Sequence, residues 1–339
     1  MFLFLFKRND INHNHIFHNA IKIISFERNL DEIKSIINTN TSLITNFTIQ
    51  KLLREELFNL ILQKSIVVDR FFEQLLTKIR KEILIAINNT NLNILNKNFD
   101  FIVSLAEQCF LNEYVFNQSE KETKDILLLK NSLLKKNEIN ELKLAILGCY
   151  TPLYTNKTIA DRLLKHQSNN KLFNDLITLQ IRNPLKENKL AKSIKSIGKI
   201  TDAISQKVKK QYEKHPYPRW RYTYKNSPLN FLYILNNKIE INKIKNKSKF
   251  YSPNVLVAGC GTGQHIIIVS NYKNAKILGI DLSLRSLSYA KRKTNELGIN
   301  NVEYLHVDIL QLKKLDKKFD IIEASGVIHH MNNPLEGLK

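Results

Sequence analysis

Glycine and proline are scarce in this chain, and where they are missing is informative. Of 339 residues, 9 are glycine and 7 proline; only Gly148 and Gly198 precede residue 259, and no proline precedes Pro152. Long stretches without either breaker, filled with Leu, Ile, Lys and Glu, favour helices. So little glycine excludes a collagen-like chain, and 43% hydrophobic residues exclude a wholly disordered one. Cysteine is rare too. Cys109, Cys149 and Cys260 show no CxxC or His-linked spacing, which speaks against a disulfide scaffold or a metal site and for buried thiols in a reducing compartment. No uncharged apolar run approaches the roughly 18–20 residues that cross a bilayer. Residues 1–6 are apolar, but Lys7 and Arg8 follow them and the run is too short for a signal-peptide core. The expectation is a cytoplasmic protein without a membrane span.

Acidic residues are outnumbered: 31 Asp and Glu against 52 Lys and Arg give a net charge of +21. An excess of that size raises nucleic acid as a partner. Its distribution argues otherwise. Residues 201–339 carry +12 and residues 1–200 carry +9, so no single element concentrates the charge. Asn, Lys and Ile are abundant together, as AT-rich coding produces, and the charge is read as a solvated surface.

Two regions of different character follow. Phe72, Leu75, Leu76, Ile79, Ile83 and Ile87 recur at three- and four-residue steps and line one helix face. Phe101, Leu105, Cys109 and Val115 form a looser stripe, residues 142–150 another, and residues 88–91 (Asn-Asn-Thr-Asn) a polar break. Residues 41–200 are therefore expected to be an all-α helical domain, preceded by a poorly defined segment, 1–40. From residue 249 the period changes. Apolar runs at 255–258, 276–280, 302–307 and 319–323 alternate with segments of helical length at 264–271 and 284–297 and a shorter turn at 310–315. Runs apolar on both faces, separated by helices, indicate an α/β domain with a parallel sheet over 249–339. Such sheets bind ligands beyond the carboxyl ends of their strands.

The strand ends carry the chemistry. Residues 255–263 read Val-Leu-Val-Ala-Gly-Cys-Gly-Thr-Gly, so Gly259, Gly261 and Gly263 follow a buried strand and open a helix. Glycines there let the backbone turn sharply and approach a ligand. The dinucleotide fingerprint G-x-G-x-x-G needs glycine at 264, where Gln264 stands, which argues against a nicotinamide or flavin enzyme. Asp281 ends the next run, about 20 residues after the loop, where a carboxylate can accept both hydroxyls of a ribose. Asp308 ends the third run and can take an exocyclic adenine amine, with Ile309 packing on the ring. Each aspartate alone could equally cap a helix; their placement at successive strand ends favours a nucleoside.

This arrangement over residues 249–339 resembles the class I S-adenosylmethionine-dependent methyltransferases, whose sheet is Rossmann-like. The resemblance implies S-adenosyl-L-methionine as cofactor, with Gly259, Cys260, Gly261 and Gly263 under its methionine portion, Asp281 and Leu282 at the ribose, and Asp308 and Ile309 at the adenine. Residues 319–331 are similar to the family's fourth motif, which implies Ser325 near the transferred methyl and His329 as a candidate catalytic base or substrate contact. Residues 101–120 and 211–220 are similar to a bacterial group of these enzymes often fused to tetratricopeptide repeats, although no 34-residue repeat is present here. The segment Y-x-x-x-P-Y-P-x-W, within a linker at 201–248, is expected to act either as a lid, with Tyr212 or Arg219 reaching the methionine carboxylate, or as a rigid linker.

Two departures stand out. Val257 occupies a position that is usually acidic in that family, so the methionine ammonium needs another acceptor, such as the Gly259 carbonyl or Glu213. The family's sheet has seven strands ordered 3-2-1-4-5-7-6, and only the first four are accounted for by residue 339. An incomplete sheet, a fragment truncated at its C-terminus and an exposed fourth-strand edge are therefore expected. The segment 324–327, Ala-Ser-Gly-Val, lacks an N-P-P-Y-like motif, which leaves small molecules, lipids and protein side chains open as acceptors, a small molecule or a protein side chain being the expectation. The alternatives are a non-catalytic cofactor-binding scaffold, motivated by Val257 and the missing strands, and a nucleic-acid methyltransferase, motivated by the charge.

Overall fold

A computed structural model describes residues 1–28, 30–39, 41–89, 92–135, 138–224, 227–233 and 251–338. Of the expected linker, residues 225–226 and 234–248 lie outside the described residues, as do Thr90 and Asn91 of the polar break. The chain divides into two compact units: Met1–Leu185 with Trp220–Tyr224, and Lys186–Arg219 with Lys225–Lys339. The division falls at Leu185, not at 200, and the first 40 residues belong to the helical unit. The physical reason for the earlier boundary is pairing: Glu187 and residues 195–196 are bonded within the second unit, as described below.

The helical unit is built from amphipathic helices closed by side-chain caps. Helix Arg70–Asn88 starts where the Asp69 carboxylate accepts the Phe71 and Phe72 N–H groups at 3.0 Å. Its six periodic apolar residues are all buried. Helix Phe99–Leu111 has no polar face to show, since every residue from Phe101 to Leu111 is buried. The polar residues on it are therefore bonded inward. Gln108 Nε2 donates to the Leu62 and Ser65 carbonyls and its Oε1 accepts the Val67 N–H. Val115, placed on this stripe from the sequence, lies beyond the helix and is exposed. Within the same unit Arg221 donates to Glu107, at 2.9 Å, and to Asp175, at 2.6 Å.

The second unit carries a five-stranded sheet, parallel throughout, ordered β1-β4-β3-β2-β5. The strands are β1 Lys195–Ser196, β2 Asn254–Ala258, β3 Lys276–Asp281, β4 Val302–His306 and β5 Ile321–Ala324. Alternate residues go to opposite faces, as the two-residue period of a strand requires. Val255, Val257, Ile277 and Ile321 pack with Ile266, Val269 and Leu287, whereas Leu256, Ala258, Leu278, Ile280 and Leu305 form a separate cluster. Helices Gln264–Val269 and Leu284–Glu296 connect β2 to β3 and β3 to β4. The edge strand β1 has no apolar signature; Ser196 Oγ lies 2.9 Å from His306 Nδ1 and secures it to β4. Helix Leu284–Glu296 is held by a buried ion pair, Arg292 Nε donating to Glu187 at 2.7 Å. Among the described residues β5 pairs with β2 alone.

Candidate active site

The carboxyl ends of β2, β3, β4 and β5 open into a cavity of about 290 Å³. That is near the lower end of the about 300–1,000 Å³ typical of small-molecule sites. Gly259, Cys260, Gly261, Asp281, Leu282, Asp308, Ile309, Ser325 and Tyr212 line it together. Gly263, Arg219 and His329 do not. Sequence reasoning passed over several lining residues, among them Val208 from the segment before the sheet, and His265 and His330.

The loop after β2 explains why the glycines differ. Gly261 has φ +51° and a Cβ placed there would meet no heavy atom within 4 Å, so its backbone is open to the cavity. Gly263 has φ +85°, but a Cβ there would lie 2.7 Å from the Ala290 Cβ. Its glycine serves helix packing. Cys260 is buried, and burial pushes its thiol well above the usual range, so it is an inert wall.

Asp281, at the end of β3, is committed on both oxygens. Oδ2 accepts the Gly261 N–H at 2.9 Å and Oδ1 the Ser283 N–H at 2.8 Å. Burial raises its pKa, the amide bonds partly countering. Asp308 lies two residues beyond β4 and caps the 3₁₀ helix Ile309–Leu315, Oδ1 accepting the Leu310 N–H at 3.0 Å. Its Oδ2 takes no hydrogen bond from the described residues. Behind the site, His306 Nε2 lies 2.9 Å from the Leu282 carbonyl. Burial lowers the His306 pKa, so the ring is neutral, Nε2–H donates, and Nδ1 accepts from Ser196.

The segment before the sheet contributes from helix Ala203–Lys214 and the residues after it. Ile204, Ser205, Val208 and Tyr212 line the cavity from the helix, and Tyr217 and Pro218 follow. The Thr262 hydroxyl donates to the Pro218 carbonyl at 2.8 Å and joins this segment to the glycine loop. Arg219 is buried, its guanidinium over the Tyr289 ring at 5.8 Å. Glu213 accepts the Leu284 N–H at 2.7 Å and does not line the cavity. On the far side, the 3₁₀ turn Ile328–His330 brings His330 to the cavity.

Residues 255–338 match a family described as a methyltransferase domain. An uncharacterized protein of Synechococcus sp. is 24% identical over 153 residues, 41% of this chain and 34% of that protein. A probable (S)-tetrahydroprotoberberine N-methyltransferase of Papaver bracteatum is 35% identical over 80 residues, 23% of this chain and 22% of that protein. The matched part thus spans about a third or less of these relatives' length. A solved structure of coclaurine N-methyltransferase bound to N-methylheliamine and SAH is 17% identical and covers 61% of this chain and 55% of that chain, with a TM-score of 0.22, too slight a likeness to bear on the fold. No helix among the described residues is long and apolar enough to cross a membrane, and no described group of His, Cys, Asp and Glu has metal-site geometry.

Proposed function

We propose that this chain binds S-adenosyl-L-methionine at the carboxyl end of the sheet and transfers its methyl group to a small molecule or a protein side chain. The observation that carries the reading is the meeting of Gly261, Asp281 and Asp308 in one cavity. The residues fit the cofactor. Gly261 leaves room where any other residue would project a side chain. Asp281 keeps a second lone pair on each oxygen for the ribose hydroxyls, and Asp308 Oδ2 is open to the adenine amine. Leu282 and Ile309 supply the apolar flanks of a nucleoside. The match of residues 255–338 to a methyltransferase domain supports the same chemistry.

Bound there, the cofactor supplies a sulfonium methyl open to in-line displacement. What the protein contributes is alignment and exclusion of water. Tyr212, Tyr217 and Pro218 cover one side of the cavity, and Ser325, Gly326 and Val327 form the wall after β5, where the acceptor enters. His330 in that wall takes the place that sequence reasoning gave to His329: its imidazole holds or removes a proton for an acceptor that arrives protonated.

Equilibrium dialysis of the full chain tests the reading. S-adenosylmethionine and S-adenosylhomocysteine should be retained and should compete, while NAD should pass freely. Retention of NAD in preference to both would replace the reading with a nucleotide oxidoreductase.

A further inference from the structure

A carboxylate stands in β5 where a buried strand would carry an apolar side chain. Glu323 is in register with Val257 of β2 and lies on the strand face of Ile321, which packs with Val255, Val257 and Ile266. Its charge is well supported. Oε2 lies 2.5 Å from His265 Nε2, and Oε1 accepts the Tyr272 hydroxyl at 2.7 Å. Burial pushes the Glu323 carboxyl up, but the hydrogen bonds from His265 and Tyr272 outweigh it and leave it below the usual glutamate range. An ionised carboxylate only accepts, so Nε2 carries a proton, and a ring holding that single proton presents a lone pair on Nδ1. Nδ1 has no hydrogen-bond partner among the described residues. His265 itself lines the cavity beside Gln264, Gly259 and Gly261.

We propose that His265, backed by Glu323 and Tyr272, is the receptor for a cationic nitrogen of the ligand, namely the ammonium of the cofactor's amino-acid portion. The proposal rests on the S-adenosylmethionine reading above. Val257 offers an ammonium nothing, whereas its register partner Glu323 supplies a negative charge on the adjacent strand, relayed to the cavity through the ring. A carboxylate on one imidazole nitrogen makes the other a better acceptor and fixes the ring's orientation, as it does behind ligating histidines elsewhere. Glu323 and Tyr272 are positioning residues; His265 makes the contact.

The test is titration calorimetry on the full chain with S-adenosylmethionine, S-adenosylhomocysteine and 5′-methylthioadenosine, which keeps the nucleoside and sulfur but lacks the ammonium. His265→Ala and Glu323→Gln should weaken the first two by about tenfold or more, the scale of a charge-assisted hydrogen bond. They should leave 5′-methylthioadenosine within about twofold of wild type, as expected for a site that does not share the altered contact. Tyr272→Phe should shift the same ratio in the same direction by less. The ratio of two affinities in one preparation does not depend on how much of a variant folds. Wild-type affinity for S-adenosylmethionine in His265→Ala, or an equal loss for 5′-methylthioadenosine, overturns the His265 assignment alone. A wild-type chain that binds none of the three overturns the cofactor reading and this proposal with it.

Discussion

Asp281 accepts the Gly261 N–H with one carboxylate oxygen and the Ser283 N–H with the other, at 2.9 and 2.8 Å, so a single side chain joins the glycine loop to the turn after β3. The loop's shape and the ribose acceptor are thereby one device. In Asp281→Asn the amide nitrogen must face one of two N–H donors, so a backbone bond is lost together with the charge. Affinity for S-adenosylmethionine should fall by about tenfold or more in a calorimetric titration, because a buried donor is left unpaired as well. An affinity equal to wild type would show that the loop and the ligand do not depend on this carboxylate.

Gly261 and Gly263 share a positive φ yet should respond differently to alanine. At Gly263 the new methyl would strike Ala290, adding overpacking to a left-handed backbone, and a stability loss of about 2–4 kcal/mol is expected in urea denaturation. At Gly261 the methyl has open space, so only the backbone penalty of about 1–2 kcal/mol applies. There the larger effect should be on ligand affinity, since the methyl projects into the cavity. Identical stability losses in the two variants would contradict the separate roles.

The helical unit carries a pH signature of its own. Burial pushes Glu107 up to about 8 despite the facing Arg221, and Asp175 adds to the rise. Its unfolded value is near 4.5, so between those values the folded state holds more protons than the unfolded one. The contribution is therefore present in full below pH 4.5 and is lost as pH rises through about 8. His13, which burial pushes down to about 4, acts in the opposite sense, but only below its unfolded value of 6.5. Lys64, which burial pushes down to about 8, also opposes Glu107 but only as pH approaches 8, so from pH 6.5 to about 7 the slope belongs to Glu107. Urea midpoints should fall across that interval in the wild-type chain and stay level in Glu107→Gln. A level wild-type profile would mean that Glu107 stays ionised throughout.

What the sequence makes legible is what it encodes locally. The runs at 255–258 and 276–280 are apolar on both faces and end in glycine or aspartate, so strand, loop and carboxylate can be read off one short segment. Helix Arg70–Asn88 is legible for the same reason, with six apolar residues at helical spacing and an aspartate cap. Contacts between distant residues leave no such trace. The two exposed residues of β1 become a strand only by pairing with β4, where Ser196 meets His306, 110 positions away. Glu323 reads as a stray charge until His265, 58 positions before it, is brought to its side by the pairing of β5 with β2. The choice between His329 and His330 is lost for a different reason. In a single 3₁₀ turn, neighbouring residues point in different directions, and nothing local says which one meets a cavity. Asp308 illustrates both readings at once: the cap of Leu310 and a lining residue of the cavity are the same side chain.

That double role supplies the most direct measurement. Asparagine caps a helix as well as aspartate does, so Asp308→Asn keeps the Leu310 hydrogen bond and should leave the melting temperature within about a degree or two of wild type. It also replaces Oδ2, the oxygen open to an adenine amine, with an amide NH2 that can only donate, and it removes the charge. Titrated with S-adenosylmethionine, the full-length variant should bind more weakly than the wild-type chain by about tenfold or more, the loss of a charge-assisted hydrogen bond. Equal affinity in the two proteins would contradict an adenosine held between Asp281 and Asp308.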